Sequence, residues 1–238
     1  MRILFTAALL AGILAGCTNN NEGSNASADI ENADSIATET ESPDARGAAA
    51  LAARFPGYLG FLKAEDSAFQ AASFEQGAQD SLPVLPYYPI GEEEKYSKLK
   101  HLLIFNADSS LALDLFLYNA EVLPGDTGKG YKLPEGPDTE VGLIDWKKKT
   151  RRRVLFLGSA GAVVDGAWVA PDRFVLAGAE TIDTDQLKPV LWQVNLADSS
   201  IQTIFYPDTL RARLHAYKNP QLQQQRPLRE TPVEENRN

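Results

Sequence analysis

From His101 onward the hydrophobic pattern acquires a period of two, and that period limits the fold more than any other feature of the chain. Leu111, Leu113, Leu115 and Leu117 alternate with Ala112, Asp114, Phe116 and Tyr118. Successive side chains on a strand point to opposite sides, so this run predicts a strand with one deeply buried face. Glu140 to Trp146 and Arg152 to Gly158 read as two further strands around Lys147 to Arg151. Val190 to Leu196 and Ile201 to Tyr206 read as another pair around Ala197-Asp198-Ser199-Ser200, whose short polar side chains suit a hairpin turn. The expected class is mainly β, built from antiparallel sheets.

The pairs share a spacing. Ile144-Asp145-Trp146 matches Val194-Asn195-Leu196 at an offset of 50 residues, and each opens a hairpin of similar length. Ala107-Asp108 ahead of Leu111 to Tyr118 is similar to Pro171-Asp172 ahead of Arg173 to Ala179. The layout resembles the four-stranded blades of β-propellers. Only two such units are visible, the tryptophan–aspartate and aspartate-box signatures are absent, and two blades cannot close a ring. Two blade-like four-stranded units or a sandwich both fit the pattern. The sandwich, covered by N-terminal helices, is the architecture predicted.

Helical signals precede that region. Ser42-Pro43-Asp44 offers a capping residue, a proline and an acid in the order of a helix start. Ala48, Leu51, Ala52 and Phe55 then form one apolar stripe, which Pro56-Gly57 ends. Tyr58 to Gln79 is read as helical, and Leu82 to Gly91, with three prolines, as an extended connector. Residues 43–91 are thus expected to form a helical segment and connector, and residues 92–218 the β-rich domain.

The first 16 residues carry a different message. A positive start at Arg2 and an apolar run from Ile3 to Leu14 have the layout of an export signal, too short to cross a bilayer, where about 20 residues are needed. Leu14-Ala15-Gly16-Cys17 resembles the lipobox of bacterial lipoproteins. That resemblance implies a diacylglyceryl group on the Cys17 sulfur, removal of residues 1–16 and anchoring in the cell envelope through acyl chains such as palmitate. Under the sorting rule of Gram-negative lipoproteins, Thr18 implies outer-membrane delivery. Acyl anchoring contributes about 0.8 kcal/mol per buried methylene, so two or three chains hold a soluble domain firmly.

Cys17 is the only cysteine, so the folded part has no internal disulfide and depends on its core. Residues 17–42 comprise the lipidated cysteine and an Asn-, Ser- and Thr-rich segment whose only large apolar residues are Ile30 and Ile36. Burial of so little surface cannot offset ordering entropy, which predicts a disordered tether. Residues 219–238 are expected to be a disordered tail. The net charge of −9, or −10 without Arg2, argues against nucleic-acid binding.

Motifs for chemistry are scarce. His101 and His215 are the only histidines, and neither stands in a nucleophile–base pattern. Gly158-Ser159-Ala160-Gly161 lacks the spacing of a nucleophile elbow, and Gly125-Asp126-Thr127-Gly128-Lys129-Gly130 lacks that of a phosphate loop. Asp183 and Asp185 supply too few oxygens for a calcium loop. Trp146, Trp168 and Trp192 are read as strand residues engaged in packing. No catalytic residue, metal site or cofactor is predicted.

The sharpest surface feature is Lys147, Lys148, Lys149, Arg151, Arg152 and Arg153, six positive charges in seven residues of an acidic chain. Placed on a hairpin turn they form a candidate site for an anionic partner. The expected function is that of a membrane-tethered envelope module with a protein or glycan partner and no enzymatic activity. The alternative is a small carboxylate-based hydrolase acting on an envelope glycan, because such enzymes leave no local motif.

Overall fold

The computed structural model describes residues 43–83, 85–91, 93–118, 120–122, 131–132 and 138–223. All of them belong to one compact unit. Cys17, the tether and the glycine-rich stretch 125–130 lie outside the described residues.

In chain order the elements are α1 (Pro43–Ala52), α2 (Pro56–Glu65), β1 (Glu75–Ser81), β2 (Tyr88–Pro89), α3 (Glu93–Lys98), β3 (Ile104–Phe105) and β4 (Leu111–Asp114). Next come β5 (Glu121–Val122), β6 (Tyr131–Lys132), β7 (Thr139–Asp145), β8 (Thr150–Gly158), β9 (Gly161–Ala170) and β10 (Arg173–Asp183). The chain continues through β11 (Gln186–Asn195), β12 (Ser200–Phe205), β13 (Leu210–Arg211) and α4 (Pro220–Gln223). No described helix is long and apolar enough to cross a membrane.

The fold is mainly β, as the alternating pattern requires, and its two large sheets are antiparallel and stacked in a sandwich-like arrangement. One sheet runs β2-β8-β7-β4-β3; the other runs β1-β12-β11-β10-β9, with β13 beside β11. β5 and β6 form a separate ribbon.

Between the sheets, Leu113, Val141, Leu143 and Val154 meet Phe174, Leu176, Val190, Trp192 and Val194. The opposite face of the second sheet buries Val175, Ala177, Ala179 and Leu191 against Ala48, Ala52, Tyr58 and Leu62 of α1 and α2. The opposite face of the first sheet sets Ala112 and Ile144 against Tyr96, Leu99 and Leu102. The result is four layers. β10 is buried on both faces from Phe174 to Ala179, which is why its sequence is continuously apolar rather than alternating. Complete burial of Phe174 alone is worth about 1.5–3 kcal/mol.

Two side chains link the sheets where β3 runs beside β9. Trp168 Nε1 donates to the Ile104 carbonyl at 2.8 Å. Asn106, nearly buried, accepts from the Leu111 amide at 3.0 Å and donates to the Pro171 carbonyl at 3.4 Å. The turns repeat one chemistry. Ala107-Asp108-Ser109-Ser110 and Ala197-Asp198-Ser199-Ser200 each put the second serine amide and hydroxyl on the aspartate Oδ1. The residue before each of those second serines has φ of 56° and 53°, and Lys149 in the β7–β8 turn has 54°. The tight turn, rather than glycine, imposes the left-handed conformation there.

Several expectations are corrected. Helix does not continue to Gln79: α2 stops at Glu65, Asp66 Oδ1 accepts from the Ala68 amide, and residues 75–81 form a strand. Those residues have no apolar stripe to pack as a helix, whereas β12 offers them an open edge. The helical segment and the β domain are therefore not separate, since β1 and β2 each complete a sheet. The run Leu111 to Tyr118 is a strand only to Asp114, and both of its faces are buried, Ala112 and Asp114 as completely as Leu113. Trp146 lies in the turn after β7 rather than in the strand. The tail begins ordered: Asn219 is buried and its Nδ2 donates to the Val164 carbonyl at 2.6 Å.

Candidate functional site

The hairpin of β7 and β8 brings the charged residues of the chain together in an unexpected way. Register pairs Ile144 with Arg151, Leu143 with Arg152 and Gly142 with Arg153. Directly opposed residues share a face, so Arg151 and Arg153 lie beneath α3 on the outer side of the sheet, and Arg152 lies on the other side. After Arg153 a bulge shifts the register, so that Val141 faces Leu155 and Glu140 faces Phe156. Val154 and Leu155 both pack in the inter-sheet core, and Arg153 and Phe156, three residues apart, share the outer face.

Two acids complete the group. Asp114, at the end of β4, accepts from Arg151 Nε at 3.0 Å, from the Tyr96 hydroxyl at 3.0 Å and from the Leu117 amide at 2.7 Å. Glu140 accepts from Arg151 through one oxygen and from Arg153 Nε through the other at 2.7 Å. Asp114 is fully buried and Glu140 nearly so, while the side chains of Arg151 and Arg153 are 16% and 42% exposed. Burial works against the Arg151 charge, yet Asp114, Tyr96 and Glu140 hold its pKa above the ordinary arginine value. Its terminal NH2 nitrogen is buried with no hydrogen-bond partner among the described residues. That nitrogen lies over Gly142, and the Tyr118 ring stands 5.9 Å from the guanidinium carbon.

Above this network opens a cleft of about 430 Å³, lined by Tyr88, Tyr96, Tyr118, Lys95, Arg151, Arg153 and Glu140, with Leu85 and Ile90 at its apolar side. Its size falls within the roughly 300–1,000 Å³ of small-ligand sites. Tyr88 is 62% exposed although it lies on a strand, paired with Arg151. A second opening of about 470 Å³ separates the sheets along their open side, between β8 and the β1–β12 edge, with Trp192 in its wall. Arg153 and Leu85 border both.

The six-residue basic run is thus distributed. Lys147 and Lys148 are exposed on the turn, and Lys148 pairs with Asp145 at 3.0 Å. Lys149 lies 3.9 Å from the Trp146 ring centroid, and the Arg152 guanidinium sits 5.0 Å from that of Tyr87. Only Arg151 and Arg153 line the cleft. His101 and His215 are exposed on separate 3₁₀ turns, and Asp183, at the end of β10, and Asp185, in the β10–β11 turn, are both exposed. Gly158 to Gly161 forms the crossing from one sheet to the other, with Gly158 at φ 54°.

The tyrosines, Asp114 and Glu140 were not singled out by sequence reasoning. One signal in the sequence pointed toward them: Gly142 inside a strand, which marks a close approach of another group. Among the described residues no three His, Cys, Asp or Glu side chains converge as metal ligands would. Compared with known proteins, the chain matches no family model, no curated sequence and no solved structure.

Proposed function

We propose that the chain is a lipoprotein of a bacterial cell envelope, anchored through Cys17 and delivered to the outer membrane. Its sandwich domain binds a glycan or protein partner without transforming it. The lipobox and Thr18 support the anchor and its destination. The cleft carries the binding reading, because three tyrosines and three cations line it while its one lining acid, Glu140, is already engaged by two arginines. A carboxylate hydrolase needs one carboxyl that donates a proton and a second that faces the sugar or an attacking water. Asp114 lies wholly buried beneath Arg151, beyond the reach of a substrate, and both Glu140 oxygens accept from arginines. That disfavours glycan hydrolysis, the other reading of the sequence.

The test uses the full chain in detergent with isolated envelope polysaccharide. Retention by the wild type, its loss in the Tyr88→Ala/Tyr118→Ala double variant, and no release of new reducing ends are expected. Reducing ends that appear with the wild type and vanish with Glu140→Gln would replace binding by hydrolysis.

A further inference from the structure

Arg153 differs from every other cation of the β7–β8 hairpin. Its Nε is held by Glu140 at 2.7 Å, and its guanidinium carbon rests 4.7 Å from the Phe156 ring centroid. Both contacts fix the plane of the group. Its two terminal nitrogens take no hydrogen bond among the described residues, and the side chain is 42% exposed at the lip of the cleft. A planar fork oriented in advance, with both terminal donors unspent, matches a planar carboxylate better than a point charge does.

Around that fork the lining is suited to a sugar. Tyr88 and Tyr118 present exposed rings, each with an apolar face for sugar C–H groups and a hydroxyl for hydrogen bonding. The lining sets Lys95, Arg151 and Arg153 against Glu140, and Asp114 lies buried beneath Arg151, so cations exceed acids by one at the cleft on a chain of net charge −9. That excess favours an anion over a neutral ligand at the cleft.

We propose that the cleft takes a carboxylate-bearing sugar, with Arg153 pairing the carboxylate and Tyr88 stacking on the ring. This rests on the binding reading above and names its ligand class. The shared chemistry of a sugar acid and a simple anion is negative charge, and the experiment separates the two.

The full chain in detergent is titrated calorimetrically with digalacturonate, with neutral digalactose and with inorganic phosphate. Digalacturonate alone is expected to bind, and more weakly as salt rises, because exposed charges are screened beyond about 10 Å at 0.1 M. Arg153→Gln is expected to weaken binding at least about tenfold, and Arg153→Lys less, because it keeps the charge but loses the fork. Tyr88→Ala is expected to weaken it about three- to tenfold. Both side chains are exposed and Glu140 keeps Arg151 as a partner, so an unchanged urea midpoint shows that each variant folds. Equal affinity for digalactose overturns the anionic class. Phosphate binding as tightly as digalacturonate overturns the sugar. No binding of digalacturonate overturns the proposal, while the polysaccharide-retention experiment judges the wider binding reading separately.

Discussion

The guanidinium of Arg151 lies across the backbone of Gly142, so close that a β-carbon there would stand 2.5 Å from its terminal NH2 nitrogen. A flexible side chain ordinarily swings away from such a clash at little cost. Arg151 cannot, because Asp114 and Glu140 hold it from two sides. Gly142→Ala is therefore expected to destabilise the domain by about 1–3 kcal/mol, read as a lower urea midpoint at an unchanged slope.

Removing the cation itself has a larger effect. Arg151→Met leaves Asp114, fully buried, without its counter-charge, and breaking a buried pair from one side costs about 3–5 kcal/mol. Lys147→Ser, an exposed turn residue, is expected to stay within about 0.5 kcal/mol of the wild type. Equal midpoints for the two variants would show that Arg151 has no structural weight.

Asp165 on β9 gives the domain a pH dependence of known sign. Its pKa is raised by burial, only partly countered by the Gly166 amide at 2.8 Å and by Tyr217 and Asn219. A carboxyl with a folded-state pKa above its unfolded value of about 3.9 binds more protons when folded. Its contribution to stability is then lost as pH rises from about 4 through the raised folded pKa. Asp165→Asn keeps an acceptor for Tyr217 and removes the charge. Urea unfolding between about pH 4 and pH 7 is expected to show a flatter profile for the variant and a gain over the wild type at the upper end.

The bond from Trp168 to the Ile104 carbonyl ties the two sheets together. Trp168→Phe keeps most of the ring but removes the indole donor to that carbonyl, an expected loss of about 0.5–1.5 kcal/mol. Amide exchange localises the effect, with faster exchange expected at Ile104 and Phe105 than at the amides of β11.

Cys17→Ala is expected to move the protein from the detergent phase to the aqueous phase and to remove the acyl mass from the intact chain. Partitioning that does not change would remove the lipobox reading.

Class and turns were legible in the sequence because both are local. Alternation around Leu111 to Asp114, Glu140 to Trp146 and Val190 to Ile204 reflects the two-residue repeat of a strand, and Ala197-Asp198-Ser199-Ser200 forms its turn through bonds within four residues. The lipobox proposed at Leu14 to Cys17 is a linear pattern and rests on the sequence alone. The site was not legible in that way. Lys147 to Arg153 reads as one basic block, yet the pleat of β8 sends Arg151 and Arg152 to opposite faces of the sheet, and the bulge after Arg153 brings Phe156 to the face of Arg153. The partners Asp114 and Glu140 come from two other strands, and Tyr88 from a two-residue strand whose own sequence carries no strand signal. Glu75 to Ser81 became a strand because β12 had an edge to pair. Which backbone edge is open, and which side chain meets which across a sheet, depends on contacts between residues far apart in the chain, and only the folded structure decides them.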